Sequence, residues 1–364
     1  MRVCLLTDKP GHPLLAAASA LLAERGTVVA YDPDAGRAAV PVAVPEVADV
    51  PASVAVPEVA DVAVSVAVAE VAVPVRGAVG APGPVAVPDA EAAPVRVSAG
   101  VPGGGAALPA ALRGSGGAQG LEAAGLEVQG LDEQGVPVAD VYLLKAHTPR
   151  ALALAARLEE TGAAVVNSAA ATALCQDRTE MAALARSAGL PFAATRTLER
   201  LGPLAAAGEP SVPLVVKSRR SRRGDLVARV DTAADLRRLA AAWPDEPVVV
   251  QEFTPNGGWD HKLWAIDGQL FAAVRRSELA PGGRGATTTV GLDQLPDGWA
   301  ELVRRVGEVF ALDVYGVDLL DAGGGAPVIV DINAFPGVRG QAGAPEALAG
   351  LAARRAAEAR AGRG

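Results

Sequence analysis

VYGVDLLDAGGGAPVIVDIN (314–333) is the stretch on which the reading of this chain turns. Two apolar runs, VYGVDLL (314–320) and VIVDIN (328–333), flank the turn-rich linker DAGGGAP, a pattern that predicts a β-hairpin. Side chains alternate across a strand, so Asp331 and Asn333 share one face. A symmetric loop places Asp318 opposite Asp331. Like charges directly opposite each other destabilise a sheet, and a cation between them removes that cost. Two carboxylates and an amide oxygen are hard ligands. They suit magnesium, with manganese as its substitute, and water and phosphate oxygens complete the shell. The competing reading is a pair of solvated acids on an edge hairpin. The apolar flanks favour burial.

Upstream, QEFTPNGGWDHKLW (251–264) follows an apolar strand that ends at Gln251 and Glu252. A hairpin over 261–275 turns at Asp267-Gly268, a pair suited to a tight turn. Lys262 and Arg275 fall near one another on its two strands, slightly offset, and either both face a phosphate or both face water. Further upstream, Lys217 ends the strand VPLVVK (212–217) and opens KSRRSRRG (217–224). Like charges this dense repel unless anions or water intervene. A phosphate-rich ligand satisfies them, and so does a solvated loop or a nonspecific RNA-binding patch. The helix predicted over 178–188 ends at Gly189. Thr232 caps a helix over 233–242, another helix covers 298–311, and an Ala/Arg-rich helix closes the chain after 344.

The N-terminal part reads as strand 2–7, helix 13–25 and strand 27–31, then strand 139–144, helix 149–161 and strand 163–167, an interrupted α/β unit. From Asp34 to Gly117 the composition changes to Ala, Val, Pro and Gly, and VAVPEVADV occurs at 42–50 and again at 54–62. Prolines recur too often for central strands or helices. The segment therefore reads as a low-complexity insertion without a stable fold, and order resumes near Leu121.

The chain has 364 residues and a formal net charge of −8, which argues against a general nucleic-acid binder. Two cysteines, Cys4 and Cys175, are too few for a disulfide framework and read as small buried residues in a reducing cytoplasm. The short apolar start, broken by Asp8, Lys9 and Pro10, does not fit a signal peptide, and no long uninterrupted apolar stretch suggests a membrane span. Of 33 Lys and Arg, only Lys9, Lys145, Lys217 and Lys262 are lysines.

The order of features (a lysine ending a strand, a basic hairpin, a strand ending in Glu, a charged hairpin, then Asp…Asp-x-Asn and Pro-Gly) resembles the ATP-grasp superfamily over roughly 165–345. The resemblance implies an α/β and α+β chain, with an N-terminal α/β domain of pre-ATP-grasp type followed by a two-subdomain ATP-grasp fold. The expected division is 1–33 with 118–168, an insertion at 34–117, subdomain one over 169–245 and subdomain two over 246–364. Carried over residue by residue, Arg178 in QDRTEM and Lys217 resemble ATP-binding residues. Gln251, Glu252 and Phe253 resemble the adenine and ribose segment, Lys262 and Arg275 resemble phosphate contacts at the reacting centre, and Asp318, Asp331 and Asn333 resemble magnesium ligands. SRRSRR departs from the usual glycine-richer phosphate loop. NAFPGVRG (333–340) and GVDLL resemble the ribosomal-protein glutamate ligase branch, whereas DINAFPG, QEFTPNGGWDHK and RRSEL (275–279) resemble the inositol polyphosphate kinase branch. The expected activity is a cytoplasmic ATP- and magnesium-dependent carboxylate–amine ligase acting through an acyl phosphate on a small-molecule or peptide acceptor, with neither nucleic acid nor membrane as a partner. A polyol kinase and a non-catalytic ATP-binding regulator are the alternatives.

Overall fold

The computed structural model describes residues 1–39, 130–132, 135–207, 213–222, 224–280, 283 and 285–363. From residue 40 onward the predicted insertion, its nine-residue repeat and the restart near Leu121 lie outside the described residues, as do Arg223 and Arg284.

The N-terminal alternation of apolar strands and helices folds as the sequence leads one to expect. Strands β1 (Arg2–Leu6), β2 (Thr27–Asp32), β3 (Arg37–Ala39), β4 (Val141–Leu144) and β5 (Ala164–Val166) form one sheet in the order β3-β2-β1-β4-β5. β1 pairs in parallel with β2 and β4, and β4 with β5. Parallel strands buried on both faces read as unbroken apolar runs, which is why RVCLL and VYLL were legible. Helices α1 (Pro13–Ala23) and α2 (Pro149–Glu160) each begin with proline in the first turn, where a missing N–H costs nothing. The insertion boundary drawn at Asp34 is too early. Residues 34–36 make a turn in which the Asp34 and Ala35 amides bond the Asp32 carboxylate and the Gly36 amide bonds the Asp32 carbonyl, and β3 then pairs antiparallel with β2.

Helices α3 (Ala169–Gln176) and α4 (Arg178–Ser187) lead to a second, antiparallel sheet. It contains β6 (Thr195–Leu198), β7 (Leu214–Ser218), β8 (Val227–Val230) and β9 (Val248–Glu252) in the order β6-β9-β7-β8. Helices α5 (Gly202–Ala206) and α6 (Ala233–Ala242) share one core with it. Thr232 caps α6 as predicted, in a reciprocal capping box with Asp235. The sequence reading did not mark α3, β6 or α5, which are short and carry weak periodicity.

The third sheet holds β10 (Trp259–Ile266), β11 (Gln269–Arg276), β12 (Thr287–Val290), β13 (Val314–Asp321) and β14 (Pro327–Ala334), ordered β12-β11-β10-β13-β14. Its β10–β11 turn is Asp267-Gly268, both at positive φ (50° and 78°), the conformation a two-residue hairpin requires. Helix α7 (Trp299–Phe310) lays Trp299, Val303, Val306 and Phe310 on one face of this sheet, beside Leu263, Val317 and Ile332. Each such side chain contributes about 1.5–3 kcal/mol on burial. Gly307 lets α7 approach closely, because a Cβ there would collide with the Tyr315 ring and hydroxyl. The opposite face is divided. Ile266, Phe271, Val314 and Phe335 join the N-terminal sheet, α1 and α8 (Ala344–Ala361) in one core. Further along the same face the strands carry Lys262, Arg275, Asp318, Asp331 and Asn333, two-residue steps from those apolar positions. Among the described residues no helix is long and apolar enough to cross a membrane.

Candidate active site

The polar face of the third sheet and the cavity-facing side of the second enclose a cavity of ≈ 260 Å³. Alternation explains both walls. On β7, Leu214 and Val216 enter the core of the second sheet, so Val215 and Lys217 face the cavity. On β9, Val248 and Val250 enter that core, so Gln251 faces it. All ten residues singled out from the sequence line this space: Arg178, Lys217, Gln251, Glu252, Phe253, Lys262, Arg275, Asp318, Asp331 and Asn333.

Asp318 and Asp331 are paired across β13 and β14, as the hairpin symmetry predicted. Immediately beyond, the register shifts, and Leu319 faces Ile329. Val330 is the extra residue of this bulge. Its carbonyl, released from the ladder, accepts a hydrogen bond from Lys217 Nζ at 2.7 Å. The bulge also keeps Ile329 in the core while Asp331 faces the cavity. A symmetric hairpin would have turned both residues to the same side.

The structure supplies the cation expected at the acid pair from the protein itself. Lys262 stands directly across from Asp318 in the β10–β13 pairing and forms an ion pair with it. Arg178 reaches Asp331 at 3.3 Å with one guanidinium nitrogen. With the other it bonds Asp225 at 2.6 Å and the Ser218 carbonyl at 2.9 Å. Burial pushes the Asp331 carboxyl up, but Arg178, Lys217 and Lys262 outweigh it and hold the group below its ordinary range. Burial pulls Lys217 below its ordinary value despite the Asp331 charge. Lys262 and Arg275 are near one another and slightly offset, as the turn position predicted: Lys262 faces Ala273, and Arg275 faces Asp260.

Three arginines of the basic run after Lys217 have acidic partners within the chain. Arg219 and Arg220 pair with Asp177 at 2.9 and 3.2 Å, and Arg222 with Glu246 at 2.8 Å. These pairs relieve part of the repulsion read from KSRRSRRG without a ligand. Gln251 is buried and donates to Thr195 at 2.9 Å. The Phe253 ring lies under Arg229 at 3.9 Å, and its N–H is committed to the Pro213 carbonyl.

Among the lining residues that were missed are three carboxylates, Asp225, Asp260 and Glu278. Asp260 lies across from Arg275 and contacts it at 3.4 Å, and the i, i+2 spacing with Lys262 was the signal for it. Asp225 had no local signal, because its partner Arg178 lies 47 residues earlier.

The donor set fits a divalent metal that arrives with phosphate. Among the described residues no group of three His, Cys, Asp or Glu is placed to hold a metal. Two carboxylates and an amide fill only part of an octahedral shell and leave positions for phosphate oxygens and water. Buried Nε atoms of Arg178 and Arg275 have no hydrogen-bond partner among the described residues, which suits an anionic guest.

Cavity and sheet arrangement together define an ATP-grasp fold. Residues 196–344 match the model of the RimK-like ATP-grasp domain. A RimK domain protein ATP-grasp from Sphaerobacter thermophilus DSM 20745 aligns at 24% identity with a TM-score of 0.47, over 59% of this chain and 82% of that one. The D-alanine–D-alanine ligase from Bacillus anthracis complexed with ATP aligns at 17% identity and TM-score 0.48, over 62% and 82%. The ATP-grasp ligase PsnB complexed with minimal precursor aligns at 20% identity and TM-score 0.45, over 61% and 81%. No curated protein matches the chain.

Proposed function

We infer that this protein is a cytoplasmic ATP- and magnesium-dependent carboxylate–amine ligase. One observation carries the reading: four cations and the Asp318, Asp331, Asn333 set line a single cavity between two sheets, and all of them but Arg178 fall within the segment that matches the RimK-like ATP-grasp domain. Gln251, Glu252 and Phe253 hold the adenosine end. Arg178, Lys217, Lys262 and Arg275 hold phosphates. Asp318, Asp331 and Asn333 would hold magnesium, which would neutralise phosphate charge when bound. A carboxylate oxygen of one substrate takes the γ-phosphoryl group and ADP leaves. An amine then attacks the acyl carbon, phosphate departs, and the amine loses a proton as the amide forms. Lys262 and Arg275, fixed on the sheet, stabilise the charge that develops during transfer. The acceptor is a small molecule or peptide, not nucleic acid or membrane.

DINAFPG and QEFTPNGGWDHK favour a second reading on the same site, transfer of the γ-phosphoryl group to a polyol hydroxyl. An acceptor panel coupled to ADP detection, with mass analysis of products, separates them. An amide with released phosphate is the expected result. A phosphorylated acceptor points to the kinase. Nucleotide binding without turnover on any acceptor points to a regulator.

A further inference from the structure

Four cations line the cavity, namely Arg178, Lys217, Lys262 and Arg275. Six carboxylates line it with them: Asp225, Glu252, Asp260, Glu278, Asp318 and Asp331. A site meant for a polyphosphate is therefore formally acidic by two charges. Three of its four cations already hold a carboxylate. Lys262 holds Asp318, Arg178 holds Asp225 and Asp331, and Arg275 holds Asp260. Asp318 and Asp331 have a metal to serve. Asp225 and Asp260 have none.

Both of these extra pairs are built into the structure. Asp260 and Arg275 occupy one rung of the β10–β11 hairpin, with side chains 14% and 9% exposed. Asp225 lies between β7 and β8, and with the Ser218 carbonyl at 2.9 Å and Ser221 Oγ at 3.4 Å it surrounds the Arg178 guanidinium, itself 6% exposed. A phosphate approaching Arg178 meets a guanidinium whose nearest oxygen, at 2.6 Å, belongs to Asp225. Arg275 is likewise engaged before any ligand arrives. Breaking a charge-assisted contact of this kind without replacing both partners leaves a half-buried charge unpaired, which is strongly unfavourable.

We propose that Asp225 and Asp260 are internal counter-anions that occupy the phosphate-binding arginines in the nucleotide-free protein and compete with nucleotide for them. This rests on reading the cavity as the nucleotide site. Free nucleotide adds negative charge to a cavity already acidic. Metal alone meets Asp318 and Asp331, whose charges Lys262 and Arg178 already neutralise. Entering together, the metal takes the carboxylates while the phosphates take the released cations, and every charge finds a new partner in one exchange. Metal and nucleotide therefore bind with strong mutual dependence, and Asp225 and Asp260 set its strength.

Calorimetric titration of the full chain with ADP, in excess magnesium and in EDTA, tests this with wild type, Asp225→Asn and Asp260→Asn. Wild type is expected to bind ADP at least ~10-fold more weakly in EDTA, a coupling of the usual allosteric size. Each asparagine variant is expected to tighten metal-free binding ~3–10-fold and to shrink the ratio between the two conditions. That direction separates competition from positioning, since a residue that merely aims its arginine would weaken binding when changed. Unchanged or weaker metal-free binding in both folded variants overturns the proposal while leaving the nucleotide site intact. Absence of ADP binding in wild type under both conditions overturns the nucleotide site and this proposal with it. Thermal melts of each variant establish that it is folded, and Asp260→Asn, on a regular hairpin rung, serves if Asp225→Asn does not fold.

Discussion

Asp318 faces Asp331 on one rung of the β13–β14 hairpin and Lys262 on the adjoining rung of β10, so one carboxylate has an acid on one side and a base on the other. The Lys262 ion pair makes the acid pair tolerable. Asp318→Ala and Asp331→Ala are each expected to lower magnesium-dependent turnover by at least ~100-fold, the scale of losing electrostatic stabilisation at the reacting centre. Steady-state rates, with circular dichroism as the check on folding, measure this. Full activity in either variant sinks the metal assignment.

Lys217 is buried, with its ammonium on the bulge carbonyl of Val330. Replacing it by methionine keeps the stem and removes the charge. Nucleotide affinity is expected to fall ~10-fold or more, since a charge-assisted hydrogen bond is worth about 1.5–3 kcal/mol. Titration with ADP and magnesium reads the change. Wild-type affinity in Lys217→Met would remove Lys217 from the phosphate site.

Asn167 ties the N-terminal sheet to the start of β13. Its amide donates to the Val314 carbonyl at 2.7 Å and accepts from the Asp313 and Val314 amides at 2.8 and 3.0 Å. Asn167→Leu takes the side-chain acceptor from the Asp313 and Val314 amides, while the Val314 carbonyl keeps its bond from the Phe335 amide, and is expected to cost about 2–4 kcal/mol. Urea unfolding measures it, and a loss below the usual surface-substitution range would show that the clasp is dispensable.

Burial, reinforced by Lys9 and Arg339, pushes the Lys145 ammonium down to about 8. Between that value and its ordinary 10.5 the unfolded chain holds a proton that the folded chain has lost, so this group favours folding increasingly as pH rises through the window. Below it, the folded protein carries a buried charge at a cost. Lys145→Met is therefore expected to stabilise the protein at pH 7 by on the order of 2 kcal/mol, and the gain should shrink toward pH 10. Unfolding curves at both pH values check the sign, and destabilisation at pH 7 contradicts it.

Much of the architecture was legible because its signals are local. RVCLL and VYLL announce buried parallel strands, Asp267-Gly268 announces a hairpin, and Thr232 announces a cap. The short elements α3, β6 and α5 were not legible, because eight, four and five residues carry too little periodicity to separate from loop. In the site, residues on one hairpin could be placed by counting from the turn. Counting from the Asp267-Gly268 turn gave the small offset of Lys262 and Arg275 correctly, and it erred where a bulge intervened, at Leu319 and Ile329.

The sequence by itself determined the polar face of the third sheet. The two-residue period and the turn residues put Asp331 and Asn333 on one side and set Asp318 across from Asp331, whatever the rest of the chain does. Tertiary structure alone decided how those charges are met. Arg178 and Asp225, 47 residues apart, come together with Asp331 only when α4, the β7–β8 turn and β14 pack around one cavity. The bulge at Val330, which offers its carbonyl to Lys217, has no mark in the apolar run VIVD. Charges find partners by distance in space, and distance in space is what a local pattern does not carry.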